Sequence, residues 1–455
     1  MNDRTEGRHH SLTAEQFAAL ARGGGDAGAL EQLVAAQRSK HLILLGKVAE
    51  LARRDDRRDD ALGVAGYRLL ARVQRQAPAT AAQVIGYPSV GAWALHVIRA
   101  VGEAPANEAL AGGTPVDEAS AGRSQAGRSQ AGQAPEARPS GLAAVAAAAA
   151  VRAGLDAEIG VPVVGGTVFL PSLGAAEAVG DTAIVDTGAA EVRSGDARVT
   201  MRPGAPGWRE LRGAAVGSLD VLIDDLDPFR MPETDSEPTG RLAPPQVAEL
   251  RDTLRAAWRV IPPASAAEVA AAVRVIVPYT APESGQASAT SPQAFGAVAM
   301  SRHPDEYTCA ETLVHETQHL KLGALLDLVT LTRPDDGRRY YAPWRPDPRP
   351  ASGLLQGAYA FFGISGFWRE QRRVAPEPEV RQRGHAEFAR WRDGAAVGVE
   401  TLLGSGQLTE AGRDFVTEMA RILGEWRREP VPGEALALAR RKAARHLAQW
   451  RADNG

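Results

Sequence analysis

Over the first hundred positions apolar residues recur at spacings of three and four, the pattern of helices with one buried face. Thr13 and Gln16 form a capping-box pair ahead of FAALA, and Gly23 to Gly25 stop that helix. Asp26 opens a longer helix with Leu30, Leu33, Val34, Leu44, Leu45, Val48 and Leu51 on its apolar positions, and Val90 to Val101 fits another. From Val161 to Phe229 short apolar runs (VPVVGGTVFL, TAIVDT, ARVTM) lie between Gly, Asp and Pro and predict strands and turns, with SLDVLIDDLDPFR ending the sheet. Leu242 to Val260 returns to helix. Ala271 to Tyr279 and Ala294 to Ser301 read as strands, and helices dominate from Pro304 onward.

These patterns predict an α+β protein, mostly helical with a β-rich middle segment. Four stretches follow: an N-terminal helical region over 1–105, a linker over 106–140, a mixed, strand-rich region over 141–240 and a final region with C-terminal helices over 241–455. The linker is rich in Ala, Gly, Ser, Gln and Pro and repeats AGRSQ at Ala121–Gln125 and Ala126–Gln130. Such a segment buries too little apolar surface to offset its ordering entropy. The repeat is far shorter than the periods of roughly 20 residues or more that build solenoids.

Composition narrows the partners. With 52 basic and 55 acidic residues, a net charge of −3 and a pI near 6.4, the chain has no global field for nucleic acid or an anionic membrane, and neither is expected as a partner. The alternating run Arg53 to Asp60 reads as a solvated, self-compensating surface. Cys309 is the only cysteine, which excludes an internal disulfide framework and fits a reducing cytoplasm. MNDRTEGRHH has no apolar export segment, and GLAAVAAAAAV (Gly141 to Val151) is too short and alanine-rich to span a bilayer of about 30 Å. A soluble, cytoplasmic protein is expected, with its oligomeric state open.

Candidate chemistry centres on AETLVHETQHLKLGALLDLV, Ala310 to Val329. Pro304 suits a first helical turn, Asp305 and Glu306 suit its positive end, and apolar character continues to Leu331. His315 and His319, four apart, project from one helix face and can reach one divalent ion; Leu322, Leu326 and Val329 extend the same stripe toward a core. With 9 His in 455 residues, chance gives two His flanking any of the 55 acidic residues in this way in only about two such chains per hundred. A peptidase would use Glu316 as general base on a zinc-bound water and would need a third ligand. The extended HExxHxxGxxH form fails, because Leu325 stands at the third-ligand position and Asp327 lies two beyond it; Glu370 is the candidate from a later helix.

A second block, RRYYAPWRPDPRPASGLLQGAYAFFGISGFWRE (Arg338 to Glu370), passes from a proline-stiffened loop into a helix at about Gly353. Arg345 and Arg349 in that loop suit the clamping of a carboxylate, with surface arginines as the plainer alternative. The Gln356 amide could complete a metal sphere weakly, although a buried Gln capping a neighbour is the commoner arrangement.

The stretches LTAEQFAALARGGGDAGALEQLVAAQRSKHLILL, SATSPQAFGAVAMS, LVHETQHLKLGALLDL and YYAPWRPDPRPASGLLQGAYAFFGISGFW together resemble the HExxH-motif peptide-modification proteins of clusters that make ribosomally synthesised, modified peptides. They cover the N-terminal helices and most of Gln286 to Trp368. The resemblance implies an iron(II)- and 2-oxoglutarate-dependent peptide β-hydroxylase acting on a precursor peptide. His315 and His319 would bind iron, with Gln356 in the third-ligand region. Arg349, with Arg345 second, would pair with the distal carboxylate of 2-oxoglutarate. Glu316 would then orient ligands or water rather than act as a hydrolytic base. By analogy with metallopeptidase-like sites, a zincin-like strand, AFGAVAMS, would precede the HExxH active-site helix and offer a sheet edge to an extended peptide, with Tyr340, Tyr341 and Trp344 lining the cleft. A zinc peptidase and a non-catalytic peptide-binding scaffold remain the alternatives.

Overall fold

The structure, a computed structural model, describes residues 10–54, 58–101, 137–232, 238–282 and 285–454. The linker expected over 106–140, apart from its last four residues, lies outside these, as do residues 55–57 of the alternating charge run. Among the described residues the chain is α+β, 58% helical, with thirteen α-helices and three small sheets in the middle, between residues 158 and 300.

The N-terminal helices are α1 (Ala14–Ala21), α2 (Ala27–Arg54), α3 (Arg58–Gln76), α4 (Pro78–Ile85) and α5 (Pro88–Val101). The capping box holds: Gln16 N–H donates to Thr13 Oγ1 (3.1 Å) and Thr13 N–H to Gln16 Oε1 (3.0 Å). Gly23 ends the turn at a φ of +81°, where its missing Cβ leaves room for the Phe362 ring. Asp26 caps the next helix, accepting from Ala29 N–H at 2.6 Å. A 3-10 turn at Pro139–Gly141 then leads into α6 (Leu142–Ala153).

The strands follow as β1 (Glu158–Pro162), β2 (Thr167–Leu170), β3 (Gly174–Glu177), β4 (Thr182–Asp186), β5 (Glu191–Ser194), β6 (Ala197–Thr200), β7 (Trp208–Glu210), β8 (Arg212–Val216) and β9 (Leu219–Ile223). Next come α7 (Pro244–Val260), α8 (Pro263–Ala272), β10 (Val275–Pro278), β11 (Ser288–Ala289) and β12 (Ala297–Met300). The C-terminal helices are α9 (Glu306–Leu326), α10 (Ala351–Val374), α11 (Pro378–Ser405), α12 (Glu410–Arg427) and α13 (Gly433–Asn454).

The chain divides into two compact units. One comprises Gln37–Arg251 and Val273–Arg302 and contains all three sheets, ordered β1-β4-β5-β6, β2-β3-β7 and β11-β12-β10-β9-β8. Strand alternation sets the registers: in β4, Ala183 and Val185 are buried while Ile184 faces outward. The alanine run is the core helix of this unit, with Leu142 to Ala150 all buried. Its small side chains admit α3 so closely that a Cβ on Gly66 would lie 2.5 Å from Ala143 N.

The other unit comprises Met1–Ala36, Asp252–Ala272 and His303–Gly455 and is helical. Here α10 and α11 form a hairpin around Tyr359, Phe362, Phe367, Trp368 and Phe388, all fully buried. Glu429 gathers Arg369, Arg372 and Arg373 at the end of that hairpin.

Several expectations are corrected. Pro304 precedes the helix instead of opening it: Asp305 is the N-cap, accepting from Thr308 N–H at 2.8 Å, and α9 ends at Leu326, so Val329 and Leu331 lie beyond it. The buried face of α9 is not a stripe either, since every residue from Leu313 to Leu322 is buried. Ala271 and Ala272 belong to α8, whose alanine-rich sequence has little periodic contrast to reveal it. Finally, β12 is not a sheet edge: it pairs with β10 on one side and with the two-residue β11 on the other.

A buried ion pair tests the helical unit. Lys321 Nζ donates to Glu268 Oε2 at 2.6 Å and to the carbonyls of Gly23 (2.9 Å) and Gly24 (3.2 Å). Lys321→Ala leaves Glu268 buried without its cation and is expected to cost about 3–5 kcal/mol of stability. The paired change Lys321→Met with Glu268→Leu should recover most of it, both read by denaturant unfolding.

Candidate metal centre

His315 and His319 sit in the middle of α9, held from another face of the same helix. Gln318 Nε2 donates to Gly23 O (3.0 Å), Lys321 reaches the same loop, and Thr317 Oγ1 donates to Leu313 O (2.7 Å). Gly363 on α10 gives Gln318 its room, since a Cβ there would lie 2.5 Å from Gln318 Cγ. The helix is thus fixed in position by polar contacts that do not involve the histidines.

The four-residue spacing brings the two rings together. Their Nε2 atoms are 3.2 Å apart and their centroids 4.8 Å, at 77°. Two Nε2 atoms 3.2 Å apart are close enough for both to reach one divalent ion. The residues therefore fit one divalent metal, with Nε2 of both rings as donors.

Gln356, in the second turn of α10, meets this pair from the far side: its Oε1 lies 3.3 Å from His319 Nδ1. The amide oxygen accepts from that nitrogen, which fixes the ring and leaves Nε2 as the atom available to a metal. In this geometry Gln356 contacts His319 through Nδ1, on the opposite side of the ring from Nε2. Among the described residues no group of three or more His, Cys, Asp or Glu side chains is placed to share an ion. Glu370 lies fourteen positions past Gln356 on the same helix, about 21 Å along its axis, so it cannot complete the centre. Leu325 is buried and apolar, and Asp327 caps the helix end.

Glu316 is buried beside the first histidine, 2% exposed, and its Oε2 has no hydrogen-bond partner among the described residues. A buried carboxylate oxygen left unmet is costly unless a ligand, water or proton satisfies it. Glu311 precedes His315 by one turn and was not singled out by its sequence context. Burial and the neighbouring Glu387 push its carboxyl up to about 7, with Arg383 Nη2 3.9 Å from Oε2. Cys309, six positions before His315 on the same helix, is buried, and that burial pushes its thiol up to about 12.

The loop before α10 brings the two arginines together, but on a carboxylate of the chain itself. Arg345 Nε donates to Asp347 Oδ1 at 2.8 Å and Arg349 Nη1 to Asp347 Oδ2 at 3.2 Å. Both guanidinium groups are mostly buried, at 16% and 13% exposure, while Asp347 is 43% exposed. Arg345 Nη1 and Arg349 Nε have no hydrogen-bond partner among the described residues. Two buried cations thus share one half-exposed anion and keep donors to spare.

This loop is tied to the histidines through α10. Arg349 lies against Gly353, where a Cβ would be 3.1 Å from its Nε, and Gly353 is about 4.5 Å along the helix from Gln356. Trp344 stacks on Phe361 (5.0 Å), and Phe361 meets His315 edge-on at 5.2 Å, with Trp391 4.3 Å from the same ring. Phe361 and Trp391 were not picked out from the sequence, where they are two aromatics among many. Tyr341 faces elsewhere: its hydroxyl bonds His446 Nδ1 (2.9 Å) and its ring packs on Trp450. Tyr340 pairs through its backbone with Arg349.

His315→Ala and His319→Ala are each expected to abolish stoichiometric binding of one divalent ion, measured by calorimetry and metal analysis. Gln356→Ala should keep one ion per chain but lower its affinity about 10- to 100-fold, the range for a lost group that orients a ligand. No protein-family model and no curated protein matches this chain.

Proposed function

We propose that the protein is an iron(II)- and 2-oxoglutarate-dependent hydroxylase acting on the β-carbon of a residue in a ribosomally made precursor peptide. The observation that carries this reading is one assembly in which a two-histidine centre lies near a pair of buried arginines with spare donors. An oxygenase metal needs open positions for a keto acid and dioxygen, and two protein donors leave them. A dicarboxylate needs a planar cationic partner for its far end. The resemblance of HETQH with PWRPDPRP and the GAYAF helix to peptide-modifying proteins supports the same reading.

In this scheme His315 and His319 hold the metal through Nε2, and Gln356 keeps the His319 ring turned toward it. Arg349 and Arg345 receive the distal carboxylate of 2-oxoglutarate in place of Asp347. Phe361, Trp344 and Trp391 exclude water from the side of His315. When bound, iron with 2-oxoglutarate and dioxygen would supply the oxidation of a C–H bond to C–OH, with succinate and carbon dioxide as co-products. Glu316, with its unmet oxygen, orients water or a ligand beside the metal. The zincin-like element belongs to the same proposal, as the order β12 then α9 along the chain.

A zinc peptidase is the second reading, favoured by the unpartnered Glu316 oxygen, which suits a general base. A precursor peptide incubated with the iron-loaded protein and 2-oxoglutarate should gain about 16 Da by mass spectrometry, and none without the keto acid. Fragments formed by the zinc-loaded protein alone would establish hydrolysis instead. Glu316→Gln is expected to keep substantial hydroxylation with metal retained, whereas a peptidase would lose all activity. Arg349→Lys should weaken 2-oxoglutarate binding about tenfold or more, while peptide affinity stays unchanged.

A further inference from the structure

The sheet-containing unit holds a cavity of about 310 Å³ that the metal centre does not use. Trp93 on α5, Phe169 on β2 and Phe229 after β9 supply aromatic wall, and Ser89, Ser140 and Asp227 supply polar groups. Its size and mixed lining are those of a small-ligand site. The two exposed charges on the lining, Arg138 and Asp181, are opposite in sign.

The segment Asp224 to Asp227 places three acids in the interior, and they are treated differently. Asp225 is met by Arg212 and Arg241. Asp224 is fully buried and receives only neutral donors: Tyr87 O–H (2.7 Å) and the N–H groups of Leu226 (3.1 Å) and Asp227 (2.9 Å). Asp227 is 8% exposed and likewise receives Ser89 O–H (2.6 Å) and Phe229 N–H (2.8 Å). The guanidinium of Arg230 is engaged by the carbonyls of Asp227 and Thr239. Among the described residues, neither acid has a cation within ion-pair distance.

Two neighbouring buried acids with no ion-pair partner, one of them lining a cavity and acted on by Arg230 only at longer range, leave room for a further positive charge. A second, independent feature points into the same space. Ser140 is 1% exposed, lines the cavity, and its Oγ has no partner among the described residues. A hydroxyl oxygen accepts from N–H, and aromatic faces attract a cation with an apolar body.

We propose that this cavity binds a primary ammonium group carried on an apolar stem, with Asp227 as its counter-charge, Ser140 Oγ accepting one N–H and the Trp93, Phe169 and Phe229 rings packing on the stem. A free arylalkylamine and the lysine side chain of a peptide share this chemistry. Burial and Asp224 push the Asp227 carboxyl up to about 7, so it ionises across neutrality. The other groups facing it are Asp224, Tyr87, Ser89 and Arg230, with Asp181 and Arg138 on the same lining.

The test is calorimetric titration of the full chain with benzylamine, with benzyl alcohol as neutral isostere, and with N-acetyl-lysine amide. An amine should bind saturably, roughly tenfold or more tighter than the alcohol, as a close buried charge pair implies. Its affinity should rise from about pH 6 to about pH 8, as Asp227 ionises while the amine stays charged. Asp227→Asn should remove the preference for amine over alcohol, and Ser140→Ala should weaken the amine severalfold. Binding of benzylamine alone identifies a small amine, and binding of the lysine amide alone a peptide side chain. Equal affinities for amine and alcohol in the unaltered protein, or no binding of either amine, overturn the proposal even if the Asp227 variant fails to fold.

Discussion

A charged side chain on a helix buried along its length depends on partners inside the fold. In α9 that constraint falls on Lys321. Its ammonium group is 1% exposed, and Glu268 with two loop carbonyls supplies what water would have supplied. Through Lys321 and Gln318 the helix is joined to the Gly23–Gly24 loop, and through Glu268 to α8. The histidines are then free to face each other, because the other face of α9 carries the structural load.

Orientation of the pair is a separate matter, decided from α10. Gln356 takes His319 at Nδ1, and Phe361 meets the edge of His315, so each ring is constrained by a different residue of the same helix. The loop that opens α10 carries Arg345 and Arg349 into the same neighbourhood. Asp347 between them keeps two buried guanidinium groups from standing as bare charges in the free protein.

The two units solve the problem of buried charge in contrasting ways. In the helical unit Lys321 with Glu268, and Glu429 with its arginines, pair opposite charges inside the fold. In the sheet-containing unit Asp225 is paired in the same manner, but Asp224 and Asp227 take their hydrogen bonds from neutral donors. The difference falls where a cavity begins, and an unmet charge in a structural core has no comparable outlet.

Local features were legible along the chain because they depend on neighbours in sequence. The capping box at Thr13, the stop at Gly23, the start at Asp26 and the helical seating of HETQH follow from spacing and from the backbone needs of Gly and Asp. The same locality explains the errors. Pro304 and Asp305 are both plausible helix openers, and only the cap geometry chose Asp305; the alanines of α8 carry no period to read. Partnership across distance was not legible at all. That β12 lies inside its sheet, that Gln356 reaches the far nitrogen of His319, that Glu370 is out of range and that Asp347 fills the arginine pair were decided by tertiary packing. Such contacts depend on which helices and strands lie side by side, and a one-dimensional pattern specifies which faces are buried without specifying what they are buried against.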